Sequence, residues 1–188
     1  GYMNMTLDEG KPILIDETTD LSLKARIANN IVAYAAIDSI RIKPTANLEV
    51  RNNSVYSQVL LADGITDINT LSGTAPFSTD PMPGLVVADN LVMTAAGTFA
   101  YELNDSFPSG AVGTRMSGNV SLASGGTSNP AGLGGVTAQS GSSLFVNANS
   151  GDFTPVAGIP DTAGVPASIR AKLTAQVTKF GVSIANAN

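Results

Sequence analysis

Apolar and polar positions alternate along most of this chain. In the opening stretch GYMNMTLDEG, Met3, Met5 and Leu7 stand against Asn4, Thr6 and Asp8. A two-residue period of this kind predicts a half-buried β-strand. KPILIDET repeats the pattern with Ile13 and Ile15 behind Pro12. LSLKARI sets Leu21, Leu23, Ala25 and Ile27 against Ser22, Lys24 and Arg26, and the turn-prone pair Asn29-Asn30 closes it. IVAYAAIDSIRI reads as one irregular strand bulged near Asp38 and Ser39, because its β-branched residues and the following Pro44 outweigh its alanines.

NLEVR and VYSQVLL flank Asn52-Asn53 and read as a hairpin around a two-residue turn. A long loop is expected over ADGITDINTLSGTAPFSTDPMPG, and two further strands over GLVVADNLVMTAAGTFAYEL. Between Ser106 and Ala167 the composition shifts to Gly, Ser, Ala and Pro. Short apolar alternations such as RMSGNVSLA and SSLFVNA persist there, so the region reads as long loops and short edge strands on a core.

The final segment, SIRAKLTAQVTKFGVSI, offers the cleanest alternation of all. Ile169, Ala171, Leu173, Ala175 and Val177 face one way, and the phase slips at Lys179 as at a β-bulge. No repeat of fixed period stands out. The pattern as a whole predicts an all-β fold, an immunoglobulin-like or jelly-roll β-sandwich with long Gly/Ser-rich loops. Residues 1–9 form an extended N-terminal strand or assembly arm, and residues 10–188 form a single domain with a loop-rich region at 106–167.

Composition narrows the function. Only 13% of the 188 residues are charged, against 43% hydrophobic, and the net charge is −5. Between Arg51 and Arg170 the only basic residue is Arg115. No basic stripe is available for phosphates, which argues against a nucleic-acid partner and against anchoring on an anionic membrane surface. The chain has no Cys, His or Trp. Structural zinc sites, disulfides, His-bearing triads and Cys nucleophiles are thereby removed. No apolar run approaches the roughly 18 residues of a membrane helix, and the basic-then-apolar signature of a secretion signal is missing. No G-x-S-x-G or S-x-x-K motif occurs, so no enzyme activity and no cofactor is expected.

Among candidate sites, Asp63, Asp67 and Asn69 offer oxygen ligands that suit Ca²⁺, although the spacing matches no EF-hand and a solvated turn is the plainer reading. Asp8-Glu9 and Asp16-Glu17 read as exposed strand-end charges. Asn4, Asn52, Asn104 and Asn119 each open an N-x-[ST] sequon, at a frequency this composition yields by chance. Tyr2, Tyr34, Tyr56 and Tyr101 lie in or beside strand patterns, where packing is their default role.

The opening strand carries the functional expectation. Gly10 and Pro12 hinge it to the body, and Met3, Met5 and Leu7 are the apolar plugs with which it would add to the sheet edge of a neighbouring copy. A head-to-tail contact of this kind grows a filament. In composition the chain resembles donor-strand pilins and β-rich phage virion proteins. The expectation is a structural, self-assembling subunit of an extracellular or cell-surface filament, pilus- or fimbria-like. A virion component such as a capsid-decoration or tail protein is the first alternative, and a secreted glycan-binding module the second.

Overall fold

In the computed structural model of the chain, the residues described are 12–15, 20, 22–35, 37–43, 45–57, 63–67, 82–102, 115–123 and 135–179. Four hexapeptides among them share one plan: IANNIV (27–32), VRNNSV (50–55), VADNLV (87–92) and MSGNVS (116–121). Each opens on an inward apolar residue and carries Asn, Asp or Gly in third place and Asn in fourth. The third residues, Asn29, Asn52, Asp89 and Gly118, take φ of 60°, 53°, 56° and 63°. That left-handed region is cheap only for Gly and for Asn or Asp. One residue so placed turns the chain sharply from one sheet into the next.

The strands follow from these corners. A first coil holds β1 (Ile13–Ile15), β2 (Ala25–Ala28) and β3 (Ile31–Ala33), and a second holds β4 (Asp38–Ile42), β5 (Leu48–Arg51) and β6 (Ser54–Tyr56). A third holds β7 (Asp63–Asp67), β8 (Val86–Ala88) and β9 (Leu91–Thr94). The fourth holds β10 (Tyr101–Glu102), β11 (Met116–Ser117) and β12 (Asn119–Ala123), with β13 (Val136–Ala138) beyond it. Each strand from β1 to β9 pairs with the one three places on, and β13 adds to β12, giving sheets β1-β4-β7-β10, β2-β5-β8-β11 and β3-β6-β9-β12-β13, every pair parallel. The chain therefore winds as a three-sided parallel β-solenoid. Parallel strands usually need helical crossovers, as in α/β folds. Here the other two sheets carry the chain back to its starting side.

Like residues stack upon like. The first sheet aligns Ile13, Ile40, Ile65 and Tyr101. The second aligns Ile27, Val50, Val87 and Met116, and the third aligns Val32, Val55 and Val92. All of these except half-buried Ile13 are buried in one interior cluster. At Gly64 the wall of the first sheet touches the third, since a Cβ there would lie 2.2 Å from the Ala100 carbonyl oxygen and 2.4 Å from Val92 Cγ1.

The outer face of the third sheet is apolar too. Leu91, Met93, Val120 and Leu122 pack beneath residues 144–163, with Leu144, Phe145, Ala148, Phe153 and Ala163 forming a second cluster. This covering segment contains the antiparallel pair β14 (Phe145–Asn147) and β15 (Asp152–Pro155), joined by a 3-10 turn at Ala148–Ser150. It leads on to α1 (Ala167–Lys179).

Several expectations are corrected. The antiparallel sandwich is not found: its strands are present in the sequence pattern, but they pair in parallel across coils. The two runs around Asn52-Asn53 are β5 and β6, which lie in different sheets, so the Asn pair is a corner and not a hairpin turn. IVAYAAIDSIRI is likewise two strands: Tyr34, at φ 60°, ends β3, and Asp38 and Ser39 begin β4 without a bulge. DGITD is strand β7 and not the start of a loop. Leu23, assigned to an inward face, lies outside β2 and is 54% exposed.

The terminal strand is instead helix α1 over Ala167–Lys179. Ile169, Leu173 and Val177 are four apart, a spacing that suits either period. Pro166 just before α1 and the bonds from the Ile169 and Arg170 amides to the Pro166 carbonyl decide for the helix.

Candidate functional site: the asparagine ladder and the ends of the stack

The fourth residue of each corner hexapeptide builds a continuous structure. The backbone N and the side-chain Nδ2 of Asn30 both donate to Asn53 Oδ1, at 3.1 and 3.0 Å. Asn53 repeats this toward Asn90 Oδ1 at 3.0 and 2.9 Å, and Asn90 toward Asn119 Oδ1 at 3.1 and 3.0 Å. Each Nδ2 of Asn53, Asn90 and Asn119 also donates to the carbonyl of a residue one coil back, Ile27, Val50 or Val87, at 2.8–3.0 Å. These three amides are fully buried. Left unpaired, a buried amide would cost about 1–3 kcal/mol, so the ladder holds adjacent coils in one register. Tyr101 crosses the interior to it, its hydroxyl donating to the carbonyls of Asn90 (3.0 Å) and Val120 (3.3 Å). Complete burial pushes that phenol well above its ordinary pKa.

The ladder has two different ends. At the first coil, Asn30 donates to Asn53 but its own Oδ1 accepts from no described residue. At the last, the Asn position is taken by Val136, and Asn119 uses the Gly135 carbonyl as its acceptor instead, at 3.1 Å from its backbone N. Gly135 keeps the corner geometry at φ 68°. Among the described residues nothing pairs with the outer edges of β3 and β13.

Two surface clefts flank the covering segment. One, of about 360 Å³, is lined by Tyr56, Met93, Ser142, Ser143 and Phe145 through Asn149. Tyr56 donates to Asn149 Oδ1 at 2.7 Å, and its ring meets Tyr34, Phe145 and Phe153 edge-on. Burial, and then the Tyr34 phenol, raise its pKa. The other, of about 430 Å³, is lined by Ile31, Ser150 through Thr154 and Arg170. Hydrogen bonds from the Thr154 side chain and backbone, and the charge of Arg170, hold the Asp152 carboxyl below its ordinary value.

Of the residues singled out in the sequence, Met3, Met5, Leu7 and Asn69 lie outside the described residues, as do both adjacent acid pairs, Asp8-Glu9 and Asp16-Glu17. Asp63 and Asp67 occupy the two ends of β7, four strand rises or about 13 Å apart. Among the described residues no group of three His, Cys, Asp or Glu gathers as metal ligands, and no helix is long and apolar enough to cross a membrane. Two sequon asparagines are occupied structurally: Asn119 is buried in the ladder, and Asn52 Nδ2 donates to the Thr162 carbonyl at 2.7 Å. Sequence reasoning missed the ladder, although the paired [N/D/G]-N corners were its signal. Comparison with family models, with curated proteins and with solved structures found no match for this chain.

Proposed function

We propose that this chain is a structural, self-associating subunit of an extracellular filament, lengthened where the coil stack of one protomer meets that of the next. Among the described residues no sandwich groove offers a slot for a donor strand, so strand addition belongs to the ends of the solenoid. The observation that carries this reading is the character of the end strands of the third sheet. β3 reads IVA and β13 reads VTA, with no charge or proline in either and no register shift where they pair. Those are the devices that stop sheet edges from recruiting another chain. A contact between unlike ends does not close on itself and grows linearly.

Sedimentation velocity and negative-stain microscopy over a range of concentrations test it. Fibres of uniform width that lengthen with concentration are expected, and monodisperse monomers throughout would overturn the reading. The same images separate a free filament from a particle-bound virion component. A chain lacking residues 1–9 tells whether the Met3, Met5 and Leu7 arm takes part.

A glycan-binding module is the second reading. It is favoured by the cleft of Tyr56, Ser142, Ser143, Asn147 and Asn149, which is neutral and rich in hydroxyls and amides. Monomers that bind a polysaccharide array would move the assignment there.

A further inference from the structure

We infer that the filament contact is a parallel pairing of β3 of one copy on β13 of the preceding copy, in a single register that places Ile31 beside Thr137 and continues the asparagine ladder across the junction. This rests on the self-assembly reading and specifies its interface.

The hydrogen-bond pattern inside the chain sets the geometry. At each coil the residue after the ladder asparagine donates its backbone N–H back to the asparagine carbonyl of the previous coil. Ser54 donates to Asn30 at 2.9 Å, Leu91 to Asn53 at 2.9 Å and Val120 to Asn90 at 2.8 Å. In register, Ile31, Ser54, Leu91, Val120 and Thr137 form one row. Ile31 heads this row, so its N–H, and that of Ala33, point out of the first coil with nothing among the described residues to receive them. At the other end, the Gln139 amide donates to Ser121 at 2.9 Å and the Gly135 carbonyl accepts from Asn119. By the alternation of a parallel ladder, Val136 and Ala138 then turn their N–H and C=O groups outward.

The two edges are therefore complementary. Seating a second copy one rise of about 4.8 Å beyond β13 brings its Ile31 N–H to the Val136 carbonyl and its Ala33 N–H to the Ala138 carbonyl. The Ala138 N–H meets its Ile31 carbonyl. The Val136 N–H occupies the place from which Asn30, Asn53 and Asn90 each donate to the next Oδ1. Asn30 Oδ1, which accepts from no described residue, supplies that acceptor. Neither strand carries a charge that would repel the partner. A one-residue slip would forfeit the ladder contact and turn each side chain to the wrong face, so the register is unique.

Proline tests the contact at positions where the N–H makes no bond to a described residue. Ala33→Pro blocks one edge and Ala138→Pro the other, and each variant keeps one competent end. Each alone is expected to remain monomeric at concentrations where the unaltered chain is fully polymerised. An equimolar mixture is expected to stop at the heterodimer. Fibres from both single variants, equal to those of the unaltered chain, would overturn the register while leaving the self-assembly reading in place. Monomers of the unaltered chain at every concentration would overturn both.

Because a proline variant can fail to fold, a second measurement stands beside it. The chain has no cysteine, so the double variant Ile31→Cys, Thr137→Cys holds the only thiols. With oxidised glutathione as the oxidant, two thiols from different copies give a disulfide and reduced glutathione. A ladder of disulfide-linked multimers on a non-reducing gel is expected. The pair Ala33→Cys, Thr137→Cys is expected to give none, and equal cross-linking of both pairs would overturn the register.

Discussion

The coil stack and the segment that covers it are held together in different ways. In the stack, strands β1 to β12, order comes from repetition: the same kind of residue recurs at the same place in each coil, and both backbone and asparagine side chains bond to their own counterparts. In the covering segment, residues 144–163, nothing repeats. An antiparallel pair, an aromatic cluster with Phe145 and Phe153 at 5.6 Å, and single tethers such as Asn52 to Thr162 fit it to one sheet face. Repetition makes a structure that propagates, and complementarity makes one that ends. One sheet thus has two end strands whose outer edges pair with no described residue, and a face packed against its own cover.

Four substitutions probe that contrast. The largest effect is expected from Asn90→Asp, which keeps the shape but replaces the donor facing Asn119 Oδ1 and the Val50 carbonyl with a buried acceptor or charge. A loss of about 3–5 kcal/mol is expected. It should be read as a lower urea midpoint with both regions unfolding together, and a stack that stays folded while the cover is lost would break the comparison.

Phe145→Ala comes next, at about 3–4 kcal/mol for a fully buried aromatic. Hydrogen exchange is expected to rise across 143–165 while the coil amides stay protected. Exchange that rises equally in both would mean the two regions are one cooperative unit.

Tyr101→Phe removes a buried hydroxyl with two carbonyl acceptors and should cost about 1–2 kcal/mol. It also carries a pH signature. Burial raises the folded pKa of Tyr101 well above that of an ordinary phenol, so the proton is held more tightly in the folded chain. The corresponding stability is complete below the unfolded value and is lost as pH rises above it. Alkaline unfolding should therefore shift to higher pH in the Phe variant, relative to its own neutral-pH stability. An unchanged profile would remove Tyr101 as the cause.

The smallest effect belongs to Arg26→Ala. It breaks a 3.2 Å ion pair with Glu49 in which both side chains are well exposed. The change in thermal stability should stay within about 0.5 kcal/mol and vanish at high salt.

Much of the strand content was legible because alternation is local. Ile13, Ile15 and Ile27 were placed by period alone, and they pack in or against the interior cluster. What escaped was pairing. The ladder asparagines are 23, 37 and 29 residues apart, so a search for a fixed period passes over a repeat whose corner is constant and whose other connections vary in length. Asn52-Asn53 invited a hairpin because the same left-handed geometry serves both a reversal and a corner; which one results depends on whether a parallel neighbour waits in the next coil. The C-terminal helix escaped because Ile169, Leu173 and Val177 satisfy two periods at once.

By itself, then, the sequence determined that this protein is built of short strands with polar, turn-prone corners and without the histidine or cysteine that much catalysis uses. Side-chain chemistry and period are properties of neighbouring residues, and they need no fold to be expressed. Only the tertiary structure decided that the strands run parallel and that four asparagines, scattered along the chain, form one hydrogen-bonded column. Those outcomes depend on which distant segments meet, and a buried amide gains a partner only when the next coil is in place.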